Sequence, residues 1–200
     1  MSIKAVIFDL DGTITQPYFD FDAIREEIGL PRDSGPVLES MGKMAPQQRR
    51  FAEEILHLHE MRAVTESRLN AGAKETLESL RAAGIRVGVL TRNKRSNALA
   101  IAGKHNLKFD AVIGREEGPV KPDCFGALRI CLQFGVKPEE TLMVGDYLFD
   151  LVCAKTAGAV AVLLANNKQA GEFARHADFV IENIEQILQI IEKTDENNQK

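Results

Sequence analysis

A chain of 200 residues with 44% apolar and 27% charged side chains can bury one main core plus a small accessory element. A formal charge of −4 leaves no polybasic footprint, so no nucleic acid is expected as an obligatory partner. No stretch approaches the ~18 apolar residues of a membrane span, and residues 1–4 lead into an apolar run without a signal-peptide pattern; a cytoplasmic protein with no membrane attachment is expected.

In chain order, Ile3-Lys4-Ala5-Val6-Ile7-Phe8 is short and rich in β-branched residues, the pattern of an interior strand of a parallel sheet. A short helix over 21–29 ends on Gly29, and 30–46, punctuated by prolines and glycines, reads as a broken connector. The longest predicted helix covers 46–69, with Pro46 in its first turn and Phe51, Ile55, Leu58 and Val64 at approximately helical spacing. A helix over 73–83 stops at Gly84. Strands at 85–90, 109–113, 141–145 and 160–164 then alternate with helices at 94–104, 123–134 and 149–157, and a strand-helix pair occupies 178–192. This alternation predicts an α/β fold, a doubly wound parallel sheet covered on both faces. The polar residues 193–200 are expected to form a disordered tail.

The polar residues of interest stand where strands end, and open α/β sheets bind ligands beyond the carboxyl ends of their strands. Asp9-Leu10-Asp11-Gly12-Thr13 follows the first strand, and carboxylates two apart in an extended chain project to one side, as holding a divalent cation or attacking a phosphoryl group requires. A polar turn after a strand is the plainer alternative. Leu142-Met143-Val144-Gly145-Asp146 repeats strand, glycine and carboxylate, with Asp150 one helical turn further on, where an acid is also favoured by a helix N-terminus. Thr91 ends a third apolar run, and the amides of Arg92 and Asn93 after it stand at a predicted helix start suited to phosphate oxygens. Lys121-Pro122-Asp123 sets a cation just before a predicted helix, the alternative being a surface lysine.

Other features carry less. Gly35 to Lys43 fails as a P-loop, because six residues separate Gly35 from Gly42 and Met44 stands where a hydroxyl should be. His57 and His59, two apart on a helix, point to different faces. Cys124, Cys131 and Cys153 lack metal-finger spacing and read as core thiols.

Taken in order, strand-Asp-x-Asp, strand-Thr, Lys-Pro and strand-Gly-Asp-x-x-x-Asp resemble the four motifs of the haloacid dehalogenase superfamily, and the resemblance runs from Ile3 to about Glu192. It implies a Rossmann-like hydrolase core over 1–15 and 71–192, with the first strand central between those ending at Thr91 and Asp146, and a small α-helical cap over 16–70. The match looks like the phosphatase branch near phosphoglycolate phosphatases and β-phosphoglucomutases. Dehalogenases lack the second carboxylate, here Asp11, so phosphoryl transfer is implied rather than carbon-halogen cleavage.

By the same resemblance, Asp9 is the nucleophile that forms an aspartyl-phosphate, and Asp11 is the general acid and base. Thr91 and Lys121 complete the catalytic set. Magnesium is the implied cofactor, held by Asp9, the Asp11 backbone carbonyl, Asp146 and Asp150, directly or through water at the last. Gly12, Thr13, Arg92 and Asn93 are substrate contacts, with Arg115 a weaker one. The expected partner is a small-molecule phosphoester. A phosphosugar mutase of the same fold, or a non-catalytic phosphoester-binding protein, would use the same residues.

Overall fold

In the computed structural model, which describes residues 2–196, the chain divides into two units. The larger takes in the chain up to Pro17 and from Arg68 onward, and the smaller is Tyr18–Ser67. The elements follow in the order β1 (Ala5–Phe8), α1 (Phe21–Glu27), α2 (Val37–Gly42), α3 (Pro46–Glu66), α4 (Ala73–Ala82), β2 (Arg86–Leu90), α5 (Arg95–His105), β3 (Ala111–Ile113), α6 (Phe125–Phe134), β4 (Thr141–Gly145), α7 (Leu148–Ala157), β5 (Val160–Leu164), α8 (Ala170–Phe173), β6 (Phe179–Ile181) and α9 (Gln186–Glu196). None of the described helices is long and apolar enough to cross a membrane.

The larger unit is a six-stranded sheet in the order β3-β2-β1-β4-β5-β6, parallel at every pairing. Every side chain of β1 is fully buried, which is why Ala-Val-Ile-Phe carries no polar alternation. Burying a residue such as Ile7 or Phe8 contributes about 1.5–3 kcal/mol against the chain entropy of ordering it. The register sets Phe8 opposite Val89 on one side and Val144 on the other, so the residues just past β1, β2 and β4 emerge at the same end of the sheet.

The chain leaves and re-enters this unit through a local pairing: the Gln16 N–H donates to the Arg68 carbonyl at 2.8 Å, and Thr15 bridges Leu69. The pairing moves the junctions from the expected 16–70 to Tyr18–Ser67.

The smaller unit has its own core of Ile24, Ile28, Val37, Met41, Ala52 and Leu56. Asp20 caps α1 by accepting the Asp22 and Ala23 N–H groups at 3.1 and 3.0 Å. One sequence expectation is corrected here. The connector 30–46 contains α2, which buries Val37 and Met41. In α3 the face turned to this core carries Ala52 and Leu56, whereas Phe51 and Leu58 are 52% and 53% exposed. A second correction falls in the larger unit, where α9 continues to Glu196, so residues 193–196 of the expected tail are helical, and the Thr194 hydroxyl donates to the Ile190 carbonyl at 2.7 Å. Residues 197–200 of that tail lie outside the described residues.

Candidate active site

Past β1 the Asp9 N–H continues the ladder by donating to the Val144 carbonyl at 2.8 Å. The chain then winds around the buried Leu10, whose carbonyl accepts the N–H groups of Thr13, Ile14 and Thr15 at 3.3, 3.0 and 2.9 Å. Gly12 sits at φ +96°, and a Cβ there would lie 2.5 Å from Asp146 Oδ2. Glycine is therefore required twice over, for the positive φ and for the close approach of the two acidic loops. At Gly145 close approach alone excludes a side chain, since a Cβ on it would lie 2.2 Å from Asp150 Cγ.

Lys121 is 3% exposed, and its ammonium donates to Asp9 Oδ1 at 2.5 Å and Asp150 Oδ1 at 2.6 Å. A surface lysine is thereby excluded. Asp150 serves two purposes, since its Oδ2 accepts the Tyr147 N–H at 3.1 Å and so caps α7 while Oδ1 holds Lys121. Asp9, Asp146 and Asp150 each offer an oxygen, all within 4.8 Å of one another.

Burial, then repulsion from Asp150 and Asp146, holds the Asp9 carboxyl well above the usual carboxylate range despite Lys121. Burial and Asp150 push Asp146 up to about 6. For Lys121 burial pulls the other way, but the two carboxylates outweigh it and raise its pKa. Three acids around one buried ammonium make a pocket short of positive charge.

Asp11 stands apart from that trio: its Oδ2 accepts the Asn93 amide at 3.3 Å. Asn93 is itself locked, its Oδ1 accepting the Lys94 N–H and the Asn97 amide, each at 2.8 Å. The Asn93 N–H, expected to face phosphate, donates instead to Thr91 Oγ1 at 3.0 Å, and α5 begins only at Arg95. Thr91 is 3% exposed and keeps its hydroxyl hydrogen for another acceptor. The N–H groups of Gly12 and Thr13 are used inside the turn, donating to the Thr15 and Leu10 carbonyls, while the Thr13 hydroxyl approaches Asp146 Oδ1 at 3.4 Å. Arg92 lays its guanidinium over the Phe149 ring, 4.6 Å from the centroid, and donates to the Lys121 carbonyl. Arg115 donates to the Arg92 carbonyl at 3.4 Å.

Three asparagines at the site went unnoticed in the sequence. Asn70 Nδ2 donates to the carbonyls of Gly12, Thr13 and Thr15 at 3.1, 2.7 and 3.2 Å. Asn166 and Asn167 reach the Gly12 and Asp146 carbonyls at 2.6 and 2.7 Å. The available signal was position, because Asn166-Asn167 follows the apolar run of β5 as closely as the acids follow β1 and β4.

Residues 3–158 match the family model described as haloacid dehalogenase-like hydrolase. An uncharacterized hydrolase of Saccharomyces cerevisiae is 30% identical over 196 residues, spanning 95% of this chain and 90% of its own. The phosphoglycolate phosphatase of Chromobacterium violaceum is 27% identical, over 80% of this chain and 84% of its own. Among solved structures, the β-phosphoglucomutase of Clostridium difficile shares the fold at a TM-score of 0.79 and 19% identity, covering 99% of this chain and all of its own.

Proposed function

The chain belongs to the haloacid dehalogenase-like hydrolases, and from that membership we propose that it is a magnesium-dependent phosphomonoester hydrolase acting on a small phosphorylated metabolite through an aspartyl-phosphate on Asp9. The observation that carries the reading is the Lys121 ammonium shared by Asp9 and Asp150, with Asp146 completing a group of three acids.

In the first step an Asp9 carboxylate oxygen bonds to phosphorus as the ester oxygen departs on the opposite side, and Asp11 gives that oxygen its proton. In the second, Asp11 takes a proton from water, the water oxygen bonds to phosphorus, and the Asp9–phosphorus bond breaks. Asn93, bonded to Asp11, holds the acid in place between the two steps. Lys121 and the Thr91 hydroxyl offer a charge and a donor to the equatorial oxygens. Arg92, with Gly12, Thr13 and Asn93, stands where a substrate would be gripped.

The acids fit a hard cation: all the donors are oxygens, they lie within 4.8 Å of one another, and burial with mutual repulsion leaves Asp9 and Asp146 reluctant to ionise without more positive charge. Asp9, Asp146 and Asp150 would hold magnesium with the Asp11 carbonyl, and the chemistry it would supply is neutralisation of phosphoryl charge. The test is a panel of phosphorylated metabolites assayed for phosphate release with magnesium and with chelator. Turnover of a small phosphomonoester that stops in chelator and returns with magnesium is expected; no hydrolysis across a broad panel overturns the reading.

A further inference from the structure

Asn166 and Asn167 are consecutive, yet they hold two different acidic loops. Asn166 Nδ2 donates to the Gly12 carbonyl at 2.6 Å, in the loop that carries Asp9 and Asp11. Asn167 Nδ2 donates to the Asp146 carbonyl at 2.7 Å and approaches Asp146 Oδ2 at 3.4 Å. The Asn167 amide cannot turn round without loss, because its Oδ1 accepts the Gln169 N–H at 2.9 Å. Asn70 holds the same Gly12 carbonyl and two more in that loop. Neighbouring Cα atoms are about 3.8 Å apart across a trans peptide, so the two loops cannot separate without breaking one of these bonds. Their approach is already close, since a Cβ on Gly12 would lie 2.5 Å from Asp146 Oδ2.

We infer that Asn166 and Asn167 form a positioning pair that fixes the gap between the Asp9–Asp11 loop and Asp146, and with it the size of the cation the acids prefer. The inference rests on the reading of Asp9 and Asp146 as cation ligands. Magnesium requires oxygens at about 2.0–2.1 Å in near-octahedral array, whereas calcium accepts about 2.3–2.6 Å and irregular shells. A pinned gap favours the smaller ion, and loosening it costs magnesium more than calcium.

The experiment is calorimetric titration of the metal-free full-length chain with magnesium and, separately, with calcium, for wild type, Asn167→Ala and Asn166→Ala, with circular dichroism confirming the fold. Asn167→Ala is expected to weaken magnesium about tenfold, the scale on which groups that orient metal ligands act, and calcium less than about threefold. Asn166→Ala, whose side chain is exposed and touches no proposed side-chain ligand, should shift the same ratio in the same direction by a smaller factor. A merely structural role would weaken both ions alike; that result, an unchanged magnesium affinity in Asn167→Ala, or an unchanged ion ratio in Asn166→Ala, overturns the inference. Failure of the wild type to bind magnesium overturns the metal reading itself, and the inference with it.

Discussion

As the proposed nucleophile Asp9 would have to be an anion, yet burial and two neighbouring acids resist its ionisation, and Lys121 is the residue that opposes them. Asp9→Asn keeps the shape and nearly the volume while removing the nucleophile and a hard ligand, so the fold should survive and turnover should all but vanish. Retention of more than about a tenth of wild-type efficiency, a loss under ~1.4 kcal/mol, would sink the assignment. Asp11→Asn separates the half-reactions. An activated ester needs little help from an acid in the first, but water still needs a base in the second, so phosphate should accumulate on Asp9 and be found there by mass spectrometry of quenched protein. Phosphate on another residue would contradict the roles given to both. These acids were legible in the sequence because Asp9 directly follows an apolar strand and Asp11 stands two residues later. The role of the asparagines was not: position past β5 marks Asn166-Asn167, but a hydrogen bond between residues 154 positions apart leaves no trace in spacing.

At the level of elements, both sheet edges are secured by one device. Asp110 precedes β3 and Asp178 precedes β6; their N–H groups donate to the carbonyls of Val87 and Ala161, and their carboxylates accept the N–H groups of the same two residues at 2.8 and 2.9 Å. A cation from the helix before the neighbouring strand completes each, Arg81 of α4 at 2.6 Å on Asp110 and Lys155 of α7 on Asp178. Edge strands of three residues need such anchoring. Burial opposes the Asp110 charge, but the Val87 N–H and the Arg81 guanidinium outweigh it and lower the pKa. A depressed folded-state pKa contributes stability that is present above the unfolded value of about 3.9 and is lost as pH falls through the lower folded one. Asp110→Asn should therefore cost about 1 kcal/mol at neutral pH and nothing below the folded-state pKa. Urea unfolding over a pH series falling from 7 checks it; a loss that does not shrink as the pH falls would mean the charge is irrelevant. The paired Asp-Ala-Val-Ile and Asp-Phe-Val-Ile segments are in the sequence, but four residues are too few to register as a repeat. The central strands were read correctly because double-sided burial leaves a continuous apolar run. In α3 the apolar residues at helical spacing mark the helix without marking its buried side, because Ala52, Leu56 and in part Ile55 pack against the core of the smaller unit while Phe51 and Leu58 stay exposed. Periodicity finds a helix more surely than it finds the buried side, and α2 is too short to show a period at all.

For the whole molecule the decisive fact is that every proposed catalytic, metal-binding and substrate residue, from Asp9 to Asp150, lies in the larger unit, while Tyr18–Ser67 has a separate core. The larger unit is also closed where the insert leaves it, because Gln16 and Arg68 are hydrogen-bonded at the exit. A short Gly/Ser linker in place of residues 18–67 has only a small gap to bridge and should not disturb the sheet. The shortened chain should unfold cooperatively, bind magnesium, and still hydrolyse a small activated phosphoester. If the insert acts as a substrate-selecting cap, the ranking among metabolites must change on its removal, because chemistry supplied by the larger unit is common to all of them. Catalytic efficiencies for the same panel, measured on full-length and shortened protein, decide the matter. Should the folded, magnesium-binding short form keep the ranking within about twofold, or roughly 0.4 kcal/mol, selection would have to reside in the larger unit, and Arg92 over Phe149 would be the first place to look for it.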